Sequence, residues 1–284
     1  MKIAVASGKG GTGKTTIATN LAASISGTAT LLDCDVEEPN AHLFLKPEFI
    51  RSNPVDVFVP AIDSEKCNGC RACVDICRFN ALTAVGSQVL VFPELCHSCR
   101  GCQLVCPEQA VTAQSRTIGW IESAQRNDLL FTHGRMRVGE AMAPPLINAV
   151  KQEAPQKGHI IIDAPPGTSC PVITTIKTCD FVLLVTEPTP FGLHDLKLAA
   201  AVVKSLAIPC GIVLNRSDIG DESVIRFAAE NDLEILLKLQ YDVEIARSYA
   251  NGLLLVEQDE HYLTIFQNLL RRIETQLETS VGVL

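Results

Sequence analysis

The stretch Gly8-Lys9-Gly10-Gly11-Thr12-Gly13-Lys14-Thr15-Thr16 decides the fold. It follows a short apolar run at residues 3–6 and precedes an apolar segment at 17–25 that we expect to be helical. The spacing G-x-x-x-x-G-K-[ST] between a strand and a helix is typical of a phosphate-binding loop. Glycines let the backbone wrap a polyphosphate with its N–H groups pointing inward, and the helix N-terminus adds its positive dipole end. All nine residues of the stretch are therefore predicted to bind or act on a nucleotide.

Carboxylates follow two of the predicted buried strands. Asp33 and Asp35 follow a strand at 28–32, and Asp163 ends the aliphatic strand at 159–162. Carboxyl ends of parallel strands are where α/β sheets bind ligands. Beside a phosphate-binding loop, Lys14 would contact the β- and γ-phosphates, while the Thr15 hydroxyl and a strand-end carboxylate would hold Mg²⁺.

Two further residues are predicted to contact the nucleotide. Gly167 lies in the segment Asp163-Ala-Pro-Pro-Gly-Thr and could offer its N–H to a γ-phosphate, so this segment is a candidate switch. Asn215 follows a strand at 211–214 and could hydrogen-bond the adenine edge.

Composition excludes several functional classes. The chain has 284 residues, a net charge of −8 and no long run of Lys or Arg, which disfavours nucleic acid and anionic membrane surfaces as partners. We also find no signal peptide and no stretch near the ~18 apolar residues of a membrane span. We therefore expect a cytoplasmic protein and do not expect it to attach to a membrane.

Hydrophobic runs punctuated by turn residues predict an α/β fold with a mostly parallel sheet. The pattern predicts strands at 1–6, 28–32, 159–162, 180–186, 211–214 and 234–237, with helices at 15–26, 145–150, 193–206, 223–231 and 262–277. A hairpin is predicted within 116–132. Residues 37–60 are predicted to be irregular, with one strand at 55–59.

Eight of the twelve cysteines lie in two runs that form an internal repeat. The first run is C-x-x-C-x-x-C-x-x-x-C from Cys67 to Cys77, and the second repeats it from Cys96 to Cys106. Arg71 aligns with Arg100 across the repeat. Three cysteines on one loop can bind three corners of an iron–sulfur cubane, and in bacterial two-cluster ferredoxins the fourth cysteine of each run ligates the other cluster.

This pattern predicts two [4Fe-4S] clusters in a small α+β domain of the bacterial ferredoxin type. The first would be held by Cys67, Cys70, Cys73 and Cys106, and the second by Cys96, Cys99, Cys102 and Cys77. The alternatives are zinc, which favours two separated C-x-x-C pairs, and disulfides, which are rare in the cytosol. Outside the runs, Cys34, Cys179 and Cys210 are interpreted as small core residues. Cys170 is interpreted as a packed or interface thiol, with a ligand of a third cluster as the alternative.

The segment from Lys9 to Thr15 resembles the deviant Walker A motif of the MinD/ParA ATPases, a group that includes the nitrogenase iron protein and the Mrp-type iron–sulfur carriers. The resemblance covers residues 1–60 and about 115–280. It implies a discontinuous ATPase domain at 1–60 and 114–284, into which a two-cluster ferredoxin domain is inserted at 61–113.

The resemblance also implies roles for individual residues. Lys9 matches the signature lysine that reaches the partner's nucleotide in a homodimer, and Asp35 matches the residue that orients the attacking water. Asp33 and Asp163 match the magnesium-side carboxylates, and Asn215 the adenine-contacting residue. The segment 240–246 resembles the lining of the base pocket. Lys9, Lys14, Asp35 and Asp163 are thus the predicted catalytic residues, with ATP and Mg²⁺ as cofactors.

Three functions are compatible with these features. The first is a slowly hydrolysing, ATP-bound homodimer that gates electron transfer from the ferredoxin module to a partner protein. The second is an ATP-dependent assembly factor or carrier for iron–sulfur clusters or other metallocofactors. The third is a MinD-like positioning ATPase, which is less attractive because the chain lacks a basic amphipathic tail.

Overall fold

The computed structural model describes residues 1–281. Contacts divide the chain into two compact units: residues 1–52, 121–135 and 147 onward form the first, and residues 53–120 and 136–146 form the second. Within residues 1–281, no helix has the length and apolar character needed to cross a bilayer.

Strands and helices alternate along most of the first unit. The strands are β1 Lys2–Ala6, β2 Ala29–Asp33, β3 Phe49–Ile62, β4 Leu82–Val85, β5 Gln88–Val91, β6 Val111–Arg126, β7 Leu129–Met136, β8 His159–Asp163, β9 Phe181–Thr186, β10 Cys210–Leu214 and β11 Ile235–Lys238. The α-helices are α1 Lys14–Ala23, α2 Ala41–Leu45, α3 Ala72–Ile76, α4 Gly101–Leu104, α5 Ala143–Gln152, α6 Cys170–Ile176, α7 Pro190–Ser205, α8 Ser223–Glu230, α9 Val243–Ala250, α10 Leu255–Gln258 and α11 Glu260–Val281.

A nine-stranded sheet organises the chain, in the order β11-β10-β9-β1-β8-β2-β7-β6-β3. The neighbouring strands from β11 to β7 pair in parallel. Burial explains this arrangement, because β1, β2, β8 and β9 are nearly continuous aliphatic runs, as expected for parallel strands covered on both faces. The predicted α/β fold with a mostly parallel sheet is confirmed.

The register of the central strands determines where the functional carboxylates lie. Asp33 at the end of β2 is directly opposite Asp163 at the end of β8, and Asp163 is opposite Val5 of β1. The loop that follows β1 therefore begins at the same sheet edge as both aspartates. The pairing of the strand backbones is sufficient to bring these residues to one edge of the sheet.

Residues 37–60 are more regular than the sequence predicted. Helix α2 occupies Ala41–Leu45, and β3 extends over fourteen residues from Phe49 to Ile62. Its first eight residues are exposed or half-buried, so they lack the apolar run that would have indicated a strand. The hairpin was predicted correctly, since β6 and β7 are sheet neighbours joined by Asn127 and Asp128 alone.

The internal repeat is reproduced in the backbone of the second unit. Non-glycine residues with positive φ fall at matching places in both halves: Arg71 (70°) matches Arg100 (60°), and Asn80 (53°) matches Gln109 (50°). Helices α3 and α4 follow Arg71 and Arg100, respectively, at their N-caps. Two sequence halves thus adopt one local fold, as the prediction of a duplicated module requires. The predicted domain limits, 61–113 within 1–60 and 114–284, stay a prediction.

Candidate functional site: a nucleotide cleft and two cysteine clusters

The loop between β1 and α1 has the backbone that a phosphate-binding loop needs. Gly11 and Gly13 have φ angles of 78° and 95°, and Gly13 is the N-cap of α1. A left-handed backbone of this kind strains L-residues other than glycine. Gly8 is constrained differently, because an added Cβ would lie 2.2 Å from the carbonyl oxygen of Asp195. The side-chain amide of Asn215 donates to the Thr12 carbonyl (2.9 Å) and so braces the loop.

A cleft of about 450 Å³ opens beside this loop. Residues from the loop, from the segment after β2 and from the chain after β10 and β11 line it: Gly10, Gly11, Gly13, Lys14, Thr15, Thr16, Ile17, Asp35, Glu38, Asn40, Pro166, Asn215, Arg216, Leu239, Gln240, Tyr241, Asp242, Ile245, Ala246, Tyr249 and Leu255. Of the residues predicted to bind or act on the nucleotide in the loop and at 167 and 215, Gly8, Lys9, Thr12 and Gly167 do not line it. The cleft offers polar N–H groups at the loop and apolar or aromatic surface beyond Asn215, which suits a nucleotide with a planar base.

Lys14 lies between two carboxylates in the floor of the cleft. Its Nζ atom is 4.0 Å from Oδ2 of Asp35 and 4.0 Å from Oδ1 of Asp163. The Thr15 hydroxyl donates to Oδ2 of Asp163 (2.6 Å). The structure therefore brings together the lysine, the hydroxyl and two of the three aspartates that the sequence singled out.

Burial raises the pKa of these carboxyl groups. It raises the pKa of Asp35 to about 6, against the opposing effect of the Lys14 ammonium. For Asp163, burial also raises the pKa, while Lys14 and the Thr15 hydroxyl lower it. Burial and the neighbouring Asp163 raise the pKa of Asp33 to about 8. Removing charged carboxylates from water in this way is costly unless a cation compensates them.

Asp33 organises the loop that follows it. Its Oδ1 accepts the Asp35 N–H, and its Oδ2 accepts the N–H groups of Asn40 and Ala41, each at 3.0 Å. The side chain is fully buried. Asp33 thus fixes the turn that carries Asp35 and the start of α2. The predicted magnesium role of Asp33 stays a prediction, since both of its oxygens already accept hydrogen bonds.

Asp163 has the free acceptor that a divalent cation requires. Its Oδ1 is buried and accepts no hydrogen bond. Mg²⁺ takes carboxylate and hydroxyl oxygens together with phosphate oxygens. Asp163 and Thr15 therefore fit Mg²⁺, with Lys14 free to exchange its carboxylate neighbours for phosphate oxygens.

Gly167 has the backbone freedom expected of a switch residue, with a φ of 95°. Its N–H donates to the Ser7 carbonyl (3.0 Å), at the start of the phosphate-binding loop. Contact between this N–H and a γ-phosphate would require that bond to break. The predicted switch role of Gly167 therefore requires a conformational change that begins with the loss of its hydrogen bond to Ser7.

Lys9 approaches a buried carboxylate that the sequence analysis did not single out. Its Nζ is 4.0 Å from Oε2 of Glu187, and Arg216 Nη1 is 2.9 Å from Oε1 of the same side chain. Glu187 is 8% exposed. It directly follows the buried strand β9, so the strand-then-acid signal that identified Asp33 and Asp163 could have found it.

The first predicted set of cluster ligands converges in the second unit. Cys67, Cys70, Cys73 and Cys106 line one cavity. Burial raises the pKa of the Cys73 thiol, and the neighbouring Cys106 and Cys67 raise it further. Cys106 therefore lies with the three cysteines of the other run, as the crosswise pattern predicts.

The second set shows the same crosswise proximity. Burial raises the pKa of the Cys96 thiol, with further contributions from Cys99 and from Cys77 of the first run. Burial raises the pKa of Cys102 to about 11, and Cys96 and Cys99 add to it. The backbone N–H of Ser98 donates to the Cys96 sulfur (3.4 Å).

The thiols of both sets are available as metal or cluster ligands. All twelve cysteines are free. Within residues 1–281, no group of three or more His, Cys, Asp or Glu side chains is arranged to hold one metal ion. The four thiols around each site, with N–H donors to sulfur and apolar neighbours such as Phe58, Leu82 and Val111, fit a cubane cluster, whose potential depends on such surroundings.

The other four cysteines differ in exposure. Cys34 and Cys179 are buried, and burial raises the pKa of both thiols. Cys210 is half-buried, so Cys34 and Cys179 agree better than Cys210 with the prediction that all three are small core residues. Cys170 is exposed at the first position of α6.

The sheet order, the loop before α1 and the strand-end carboxylates together define a P-loop nucleotide-binding protein. The model of the CobQ/CobB/MinD/ParA nucleotide-binding domain matches residues 3–256, and the chain belongs to this family. The resemblance to MinD/ParA ATPases is thereby confirmed.

Individual relatives give the range of similarity. An uncharacterized protein of Methanocaldococcus jannaschii is 32% identical over 257 residues, covering 89% of this chain and 90% of the relative. The iron-sulfur cluster carrier protein of Pyrococcus furiosus is 24% identical over 213 residues, covering 73% of this chain and 58% of that protein. The septum site-determining protein MinD of Pyrococcus horikoshii, solved with Mg-ADP, superposes with a TM-score of 0.60 at 18% identity and covers 96% of this chain and 95% of its own.

Proposed function

We propose that this protein is an ATP-binding and ATP-hydrolysing homodimeric switch that gates electron transfer from a two-cluster ferredoxin module to a partner protein. The convergence of Cys106 with the Cys67–Cys73 loop carries the proposal, because it completes a four-thiol site from two distant runs. A site with four thiolates retains its cluster well, which suits electron transfer better than cluster release.

The residues that line the cleft support the proposed binding of ATP. The N–H groups of the loop and the N-terminus of α1 would bind the phosphates, and Asn215 with residues 240–246 would enclose the base. Bound Mg²⁺ would supply charge neutralisation between the β- and γ-phosphates. Asp35 lies at the cleft and is positioned by Asp33, so it can orient a water.

Lys9 has the freedom to act outside its own cleft. Its side chain is 33% exposed and its contact with Glu187 is long, at 4.0 Å. The buried Glu187 carboxylate would keep its closer partner, Arg216 at 2.9 Å, if Lys9 moved away. Reaching a partner's nucleotide would therefore cost little, which supports the proposed signature role in a homodimer.

A second candidate is an ATP-dependent carrier or assembly factor for iron–sulfur clusters. Similarity to the iron-sulfur cluster carrier protein of Pyrococcus furiosus favours it. The predicted positioning role rests on likeness of fold alone, at 18% identity, and we do not propose it.

Anaerobic purification followed by iron and sulfide analysis and EPR, with and without Mg-ATP, tests the proposal. We expect about eight irons per chain and a change in the EPR signal or the cluster potential on adding ATP. ATP-dependent transfer of labelled iron to an apo-acceptor would favour the carrier function instead. Both functions would be refuted if the wild-type chain held substoichiometric iron and variants lacking the four cysteines of one set held just as much.

Sizing chromatography with a non-hydrolysable ATP analogue tests the homodimer. We expect wild type to form a dimer and Lys9→Ala to stay monomeric while still binding nucleotide. Lys157→Ala is a control, because it removes an exposed lysine far along the chain from the loop. A Lys9→Ala dimer of unchanged strength would refute the signature role.

A further inference from the structure

The two cysteine sites are built from matching halves, yet one pair of side chains beside them differs. In the first half the loop position after the first cysteine is Asn68, and in the second half it is His97. Two residues after the fourth cysteine, the first run has Phe79 and the second has Glu108. Because the fourth cysteines cross over, Glu108 faces the first site and Phe79 the second.

The structure pairs these residues differently in the two halves. The Asn68 side chain donates to Oε1 of Glu108 (3.1 Å), and both residues line the cavity of Cys67, Cys70, Cys73 and Cys106. At the second site, Phe79 stacks on His97 with ring centroids 3.6 Å apart and planes 7° from parallel. One site therefore has a carboxylate held against it, and the other has a stacked pair of rings.

Three other sets of charged residues near the sites are matched across the repeat, are paired with an opposite charge, or add positive charge beside the second site. Arg71 lines the first site and has its counterpart in Arg100 at the second, whose guanidinium lies 5.0 Å from the Phe58 ring centroid. Lys66 in the first half is paired with Asp63 (3.3 Å). Arg78 directly follows Cys77 of the second set, where the first set has a proline.

Hydrogen bonds to sulfur do not offset this difference. The Ala110 N–H donates to the Cys106 sulfur at 3.3 Å in the first set, and the Ser98 N–H donates to the Cys96 sulfur at 3.4 Å in the second. Glu108 is therefore a carboxylate that lines the first site and has no counterpart at the matching position of the second, which is Phe79.

We infer that the Cys67-Cys70-Cys73-Cys106 site has a lower reduction potential than the Cys96-Cys99-Cys102-Cys77 site, because Asn68 holds the Glu108 carboxylate against the first. This inference rests on the proposed function. A negative charge close to a cluster disfavours the addition of an electron. A single electron from a low-potential one-electron donor then resides at the second site, so internal transfer runs from the Glu108 side to the Phe79 side.

EPR-monitored titration with dithionite, on the anaerobically purified full chain, tests this. Iron analysis comes first: a chain without about eight irons would refute the proposed function and not this inference alone. With iron in place, we expect two separate reduction steps in wild type. Glu108→Gln keeps the acceptor for Asn68 but removes the charge, so it should shift the lower step upward and leave the upper step in place.

Two further variants make the assignment specific. Glu48→Gln removes one exposed carboxylate from the other unit and should shift neither step. Phe79→Glu places a carboxylate at the matching position of the second site and should lower the upper step, provided its iron content equals that of wild type. Coincident steps in wild type, or a Glu108→Gln variant that shifts the upper step or neither, would overturn the inference.

Discussion

Gly13→Ala should destabilise the protein in two separable ways. The φ of Gly13 is 95°, and an alanine held there costs about 1–2 kcal/mol. The added Cβ would also lie 2.7 Å from the side-chain nitrogen of Asn215, which donates to the Thr12 carbonyl. Loss of that hydrogen bond costs about 0.5–1.5 kcal/mol. We therefore expect the free energy of unfolding to fall by about 1.5–3.5 kcal/mol.

Gly27→Ala and Gly10→Ala are matched controls for these two contributions. Gly27 has a φ of 87° with nothing within 4 Å of the added Cβ, so it should show the backbone cost alone. Gly10 has neither a positive φ nor a neighbour within 4 Å and should be almost neutral. Urea unfolding followed by far-UV circular dichroism measures all three.

A double variant then isolates the contact between the loop and Asn215. Asn215→Ala removes the amide that the new Cβ would meet, so in that background Gly13→Ala should cost no more than Gly27→Ala. Calorimetry with Mg-ATP should show that Gly13→Ala also weakens nucleotide binding, because the distorted N-cap directs its N–H groups elsewhere. Equal stability losses for Gly13→Ala and Gly27→Ala in the wild-type background would refute the reasoning.

Three more predictions concern buried titratable groups. Asp163→Asn keeps an acceptor for the Thr15 hydroxyl, replaces the unpartnered Oδ1 and removes a buried charge, so without ligand it should be about as stable as wild type. It should lose most of the roughly 2.7 kcal/mol that Mg-ATP at 100 times its Kd gives wild type in a thermal-shift assay. An undiminished shift would contradict the magnesium assignment. Asp33→Asn should instead destabilise the ligand-free protein by about 1–3 kcal/mol. The reason is that an amide nitrogen cannot accept the backbone N–H groups that the Asp33 carboxylate accepts. A variant as stable as wild type would refute the loop-positioning role of Asp33. Burial lowers the pKa of His133, so below pH ~6.5 the unfolded chain binds more protons than the folded one, and the folded state loses stability as the pH falls. The stability difference between wild type and His133→Phe should therefore shrink as the pH drops through that range. A pH-independent difference would show that His133 does not contribute.

The residues that meet at the candidate nucleotide site carry local sequence signals. The spacing of glycines with Lys14 and Thr15 specifies a loop and a helix start, and a carboxylate after an aliphatic run specifies a strand end. Parallel pairing then brings Asp33 and Asp163 to one edge without further information. The spacing within each cysteine run likewise predicts three thiols on one loop, whereas the crosswise fourth ligand of each set was taken from the two-cluster ferredoxin pattern.

The rest depended on contacts that no local pattern encodes. Asp33 and Asp163 share the same sequence signal, yet Asp33 accepts three backbone N–H groups and Asp163 keeps a free oxygen. That difference depends on the path of the loop to Ala41, which was predicted to be irregular. The bond between Gly167 and Ser7, and that between Asn68 and Glu108, likewise join residues whose separation in sequence carries no signal.

The two chemistries of the chain are joined by continuous strands. From Asp33, the chain passes through α2 directly into β3, whose residues from 53 onward belong to the unit that carries the cysteines. It returns through β6 and β7, and after α5 it enters β8, which ends at Asp163. Both covalent connections of the cysteine segment therefore lead to carboxylates of the nucleotide site.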